Sequence, residues 1–220
     1  ALWKLQQGVG GIFITSWANP ELLTTPGRNI VALREAVGRP FSVSIDFEGG
    51  RVQRHDHIIG PRVSAREMAA TMSPEQVEHY AFELGNSLRW HGVTVDFAPV
   101  LDVDAAGLDI IGDRAFSTDP HVAGEYGAAF ARGLAAAGVT PVFKHFPGHG
   151  QASGDTHLQL AVTPPVEQVV AHDLPPYAIA LGQSGGAVMV GHMVVPGLGD
   201  GTTPASLDPA TYVLLRSGNY

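Results

Sequence analysis

Along the whole chain, short apolar runs alternate with longer segments of helical period, and that alternation leaves few folds open. The runs lie at residues 11–15, 41–46, 93–100, 142–146 and 187–192. They are rich in Val, Ile and Phe and apolar nearly throughout, as strands covered on both faces are. Between them the punctuation is helical. Ser73-Pro74-Glu75-Gln76 has the pattern of a capping box with Pro at the first helical position, and predicts a helix to about Trp90 with Gly92 just past its end. Asp119-Pro120 opens a second helix that runs toward Gly138. Residues 29–37 and 165–181 predict two more, and Asp208-Pro209 a short last one stopping at Gly218. Residues 1–7 read as the tail of a helix running into Gly8, without the layout of a signal peptide.

Strand and helix in repeated alternation call for an α/β fold with a parallel sheet and right-handed crossovers. Polar residues gather where strands hand over to loops: Asp46, Asp96 and Asp102, Lys144 with His145, and His192. Carboxyl ends of strands are where such folds place their chemistry. No Gly-rich phosphate loop follows the first run, as an open doubly wound sheet would display. A (β/α)8 TIM-type barrel fits better. A full barrel needs roughly 250 residues, and about five of the eight strands are visible here, so the expectation is an incomplete barrel. Residues 1–220 are read as one partial barrel domain.

Composition narrows the function classes. With 13 Lys+Arg against 21 Asp+Glu, the formal charge is −8. No basic cluster offsets it, which argues against nucleic acid and anionic membrane as main partners. No apolar run approaches the ~20 residues that span a bilayer. The absence of Cys excludes disulfide scaffolds and Cys-ligated zinc modules.

The richest chemistry lies in Lys144-His145-Phe146-Pro147-Gly148-His149-Gly150, followed by Gly154-Asp155-Thr156-His157. Pro and Gly force an irregular backbone directly after a strand. Asp155 and His157 stand at i and i+2, which in an extended loop sends both side chains to one side. A carboxylate there fixes the tautomer of the imidazole and raises its basicity, as a general base requires. Two rivals stand beside this reading. The polar residues can serve only to pin a long loop, or His145, His149, Asp155 and His157 can ligate a metal. A second segment, Asp46-Phe47-Glu48-Gly49-Gly50-Arg51-Val52-Gln53-Arg54, sets carboxylates near arginines at a strand end, an arrangement equally suited to architecture or to a ligand. A third, Gly112-Asp113-Arg114-Ala115-Phe116, places Arg114 in a loop, where arginine is ordinarily solvated. His192 is a candidate for lining the pocket without a part in bond breaking. The other histidines, and Trp17 and Trp90, are read as structural, the tryptophans as packing residues.

In this order, Asp-x-Glu-Gly-Gly-Arg-Val-x-Arg, Gly-Asp-Arg-x-Phe, Lys-His-Phe-Pro-Gly-His-Gly and Gly-Asp-x-His, the chain strongly resembles the family 3 glycoside hydrolases. It is most similar to the β-N-acetylglucosaminidase branch that trims cell-wall muropeptides. The resemblance implies that His157 is the general acid/base and Asp155 its partner, where most glycosidases use a carboxylic acid. It implies that Asp46 binds sugar hydroxyls and that Arg54, Arg114, Lys144 and His145 are the other substrate-binding positions. It further implies a retaining mechanism without metal or organic cofactor. It implies an N-acetylglucosamine-containing muropeptide or chitooligosaccharide as the substrate class, and it leaves both the cytoplasm and the cell envelope open as the compartment. The nucleophile of the family is an Asp in a Ser/Thr-Asp-Asp-Leu pattern that these 220 residues lack. Asp200 looks like a turn residue and Asp208 like a helix N-cap, so the nucleophile is expected beyond the carboxyl terminus of this chain.

Overall fold

A computed structural model describes residues 1–218. Strands β1 (Gly11–Ile14) and β2 (Ser42–Ile45) precede a small antiparallel hairpin, β3 (Phe47–Gly49) and β4 (Val52–Gln53). Strands β5 (Val95–Asp96), β6 (Thr140–Phe146) and β7 (Ala187–Val190) follow. The order β1-β2-β5-β6-β7 forms one five-stranded sheet, parallel at every junction. All five expected strands are present. The helices are α1 (Leu2–Gln6), α2 (Glu21–Thr24), α3 (Ile30–Val37), α4 (Asp56–Ile59), α5 (Ala65–Thr71), α6 (Pro74–Trp90), α7 (Pro120–Ala136), α8 (Val166–His172), α9 (Pro175–Gln183) and α10 (Pro209–Ser217). Parallel strands in sequential order, with helices between them, are an incomplete α/β barrel. Among the described residues no helix is long and apolar enough to cross a membrane.

Local chemistry explains the boundaries. Ser73 and Gln76 close the capping box of α6 from both sides, with Ser73 N donating to Gln76 Oε1 at 2.7 Å. Asp119 caps α7 and Asp208 caps α10 through their side chains. Two expectations need correction. The run at 93–100 is a strand only over Val95–Asp96, because Pro99 has no N–H for the ladder. The helix expected over 165–181 is two helices, because Pro175 and Pro176 cannot continue a preceding turn, and a new helix starts there.

Buried apolar residues from β2, α6 and α7, among them Val43, Ile45, Leu84, Leu88 and Phe130, form the main core. A second cluster joins β6 to α9 through Phe143, Phe146, Leu174 and Tyr177. Phe146 meets Tyr177 edge-on at 5.1 Å. Trp17 and Trp90 are 83% and 84% exposed, so neither packs, contrary to expectation. α7 packs against α6 and α9 by presenting small residues. A Cβ on Gly133 would lie 2.2 Å from the Glu78 carbonyl oxygen, an unyielding backbone atom. Gly133→Ala is therefore expected to destabilise by about 1–3 kcal/mol through overpacking, despite alanine's better helix propensity. Urea unfolding of the variant checks this, and an unchanged midpoint would contradict the close approach.

Candidate active site

Carboxyl ends of the strands surround a cleft of ≈ 500 Å³. Its floor is a buried charge network. Asp46, directly after β2, accepts from Lys144 Nζ at 2.9 Å and from Arg54 Nη2 at 2.8 Å. Glu48 on β3 accepts from Lys144 Nζ at 2.7 Å and from Arg114 Nε and Nη2 at 2.7 and 2.8 Å. Asp46 and Glu48 stand at i and i+2 in extended chain, so both face one side. Lys144 projects from β6 between them, with its side chain 3% exposed.

The electrostatics follow from that packing. Burial by itself would raise both carboxyls. Lys144 overrides it, with Arg54 for Asp46 and Arg114 for Glu48, and holds both below their ordinary range. Lys144 and Arg114 respond in the opposite sense, since burial would lower them but the two carboxylates raise them. Nearby, Asp96 is fully buried and its Oδ1 accepts from Phe47 N at 2.9 Å. Its Oδ2 has no partner among the described residues, and burial pushes this carboxyl well above the usual range. A carboxyl whose charged form is disfavoured by burial therefore sits under the ionised network.

Two Asp–His pairs flank the cleft. His157 Nδ1 lies 2.7 Å from Asp155 Oδ1, and His157 N donates to the same oxygen at 2.8 Å. The pair meets through a tight turn rather than the extended loop that was expected. A carboxylate only accepts, so Nδ1 carries the proton and Nε2 is the atom free to exchange one with a ligand. The His157 ring is 77% exposed and lines the cleft mouth. In the second pair, His145 Nδ1 lies 2.6 Å from Asp102 Oδ2. Burial lowers the His145 pKa, with Asp102 opposing, and keeps the ring neutral. Asp102 stays ionised because His145 and the His149 amide outweigh its own burial. The two pairs thus differ in setting: the His145 ring is largely buried and the His157 ring exposed.

All seven residues singled out from the sequence, Asp46, Arg54, Arg114, Lys144, His145, Asp155 and His157, belong to this cleft or its rim. His192 also lines it. Arg114 is not the solvated loop residue its context indicates, since its side chain is only 10% exposed. Glu48 was not singled out, although its i, i+2 spacing from Asp46 is the signal that would have found it. Asp102 was noted only as flanking a strand, and nothing in the sequence pairs it with His145. Among the described residues no group of three His, Cys, Asp or Glu converges as a metal site. His149 points its Nε2 at the Gly154 carbonyl, 2.9 Å away. Asp200 Oδ1 accepts from the Thr202 and Thr203 amides, and Asp208 Oδ1 from Ala210 N, so both are turn and cap residues.

The barrel end thus carries two oriented imidazoles beside a network of carboxylates and cations. The model of the glycosyl hydrolase family 3 N-terminal domain matches residues 3–218, and the chain belongs to that family. It is 47% identical over 212 residues to the beta-hexosaminidase LpqI of Mycobacterium tuberculosis, covering 96% of this chain and 54% of that protein. Thus the chain spans about half the length of the curated relatives it matches. The crystal structure of a family 3 glycosyl hydrolase from Mycobacterium smegmatis superposes with a TM-score of 0.92 at 50% identity, covering 100% of this chain and 68% of that one. NagZ from Neisseria gonorrhoeae in complex with N-trifluoroacetyl-D-glucosamine gives 0.86 at 28% identity, covering 100% and 66%.

Proposed function

We propose that the chain carries the sugar-binding and acid/base machinery of a retaining exo-β-N-acetylglucosaminidase acting on muropeptides or chitooligosaccharides. The observation that carries the reading is the Asp155–His157 pair, bonded at 2.7 Å with the imidazole accessible at the cleft mouth. In this role His157 protonates the departing glycosidic oxygen through Nε2 and later takes a proton from the incoming water. Asp155 holds the tautomer and offsets the charge that the ring gains. On the cleft floor, Asp46 accepts from sugar hydroxyls, while Arg54, Arg114 and Lys144 donate to ring-substituent oxygens. His145, neutral and with Nδ1 committed to Asp102, offers Nε2 as an acceptor. Hexosaminidase names among the relatives, and the N-acylglucosamine derivative bound to the Neisseria NagZ, support the substrate class.

A retaining reaction also needs an attacking carboxylate opposite the acid. Asp46 and Glu48 are both tied to cations, and Asp200 and Asp208 to backbone amides. The Ser/Thr-Asp-Asp-Leu pattern that carries the nucleophile in the resembling family does not occur in these 220 residues, and on that ground the nucleophile is assigned outside them.

The test is release of nitrophenol from an aryl β-N-acetylglucosaminide by the longest natural protein that contains this chain, with and without chelator. Chelator-insensitive release is the expected result. Release abolished by chelator would replace the acid/base reading with metal-assisted hydrolysis. No release, with N-acetylglucosamine still bound, would make the barrel a sugar-binding protein.

A further inference from the structure

Beneath the His-rich segment lies a carboxyl that the proposed reaction does not use. Asp173, at the end of α8, is 1% exposed. Its Oδ2 accepts from Gln151 Nε2 at 2.7 Å, while its Oδ1 has no partner among the described residues. Gln151 is held in turn by Gln168, whose Nε2 donates to Gln151 Oε1 at 2.9 Å. Gly148 lies directly against the same carboxyl. Its φ is +144°, and a Cβ there would fall 2.3 Å from Asp173 Cβ and 3.0 Å from Oδ1. Residues 148–151 thus run between two acids, with Asp102 accepting from the His149 amide at 2.8 Å and Asp173 gripping the Gln151 side chain.

That segment is the footing of the acid/base loop. The His149 ring reaches Gly154 O at 2.9 Å, one residue before Asp155. Ser153 N donates to Val162 O at 2.8 Å, and Val162 N to Ser153 Oγ at 3.0 Å, closing the neck from which Asp155 and His157 emerge. We propose that Asp173 is a positioning residue for the Asp155–His157 loop, fixing residues 148–151 through Gln151 and the bare Gly148, and that this hold weakens as pH rises.

The pH dependence has a physical cause. Burial raises the Asp173 carboxyl to about 7, Gln151 opposes the rise and Asp102 adds to it. The titratable groups facing it are Asp102 and His172, whose Nδ1 is 3.8 Å from Oδ2. With the folded pKa above the ordinary value near 4, the closed neck binds an extra proton between roughly pH 4 and 7. Neck stability therefore falls as pH rises through that window and levels off above it.

The assignment of Asp173 to an acid/base loop rests on the hexosaminidase reading, whereas its grip on the neck does not. Hydrogen exchange at the Ala152 and Ser153 amides, corrected for intrinsic rates, should show protection falling at least about tenfold between pH 5 and 7.5 in the unmodified protein. Asp173→Asn, neutral and of the same shape, should show no such slope. Gln151→Ala should lose protection already at pH 5 and lower kcat by about tenfold with little change in KM, since a misplaced acid slows chemistry more than binding. A flat profile in the unmodified protein, or the same slope in Asp173→Asn, would overturn the proposal. So would a full kcat in Gln151→Ala once neck protection is lost. Exchange behaving as expected in a protein that releases no sugar would support the hold on the neck and overturn the hexosaminidase reading alone.

Discussion

Replacing His157 with alanine is expected to lower turnover of an alkyl β-N-acetylglucosaminide by about 10²–10⁴-fold, the usual worth of general acid–base catalysis. The ring contacts Asp155 and is otherwise in solvent, so the variant should fold with unchanged stability, and the loss is chemical. Its size should depend on the leaving group. A nitrophenolate departs with little protonation, so the glycosylation half-reaction should be largely rescued for aryl substrates, while deprotonation of the attacking water in the second half stays slow. An aryl substrate should then show a burst of nitrophenol followed by slow turnover. Asp155→Asn should give a smaller defect, because it releases the tautomer without removing the ring. Equal rates for wild type and variant on both substrates would take His157 out of the mechanism.

Much of this site is legible in the sequence for a simple reason. In a parallel α/β chain the carboxyl end of each strand is the place where an apolar run stops, so polar residues at those stops identify one end of the barrel before any coordinates exist. Asp46, Lys144 and His145 were found that way, and Asp155 with His157 by spacing. What the sequence conceals is partnership across long separations. Lys144 meets Asp46 and Glu48 from a strand nearly a hundred positions away. The meeting depends on sheet order, which the sequence constrains only as a class. Arg114 shows the same limit: local context makes it a loop arginine, and its pairing with Glu48 from the β3–β4 hairpin appears only in three dimensions. The tryptophans err the other way, since large apolar side chains predict burial on average and Trp17 and Trp90 stand in solvent. Asp173 was beyond reach, because its role depends on a glycine and a glutamine from a different loop lying against it.

The largest stability effect should come from Lys144. Lys144→Met keeps the length and apolar stem of the side chain but removes the one ammonium that Asp46 and Glu48 share. Each carboxylate keeps an arginine, Arg54 and Arg114 respectively, yet two buried like charges would then face each other across the vacated position. Breaking a buried pair by removing one partner costs about 3–5 kcal/mol, far more than the net worth of the intact pair, because the charge left behind has lost its water. The pH dependence tests the cause. Asp46 and Glu48 have folded pKa values below their ordinary ones, so the stability they contribute is present above roughly pH 4 and is lost as pH falls through the folded values. Lys144 has a raised pKa, so its share is present below roughly pH 10 and is lost only as pH rises through its folded value. The gap between wild type and Lys144→Met should therefore be widest between those limits and should shrink in acid, where the two carboxyls take up protons and no longer need the cation. Denaturant unfolding at pH 7 and at pH 3.5 measures it. A cost below about 1 kcal/mol at pH 7, or one that does not shrink in acid, would mean that the network is hydrated and weak. In that case the arginines, rather than the lysine, would have to set the geometry of Asp46 at the sugar.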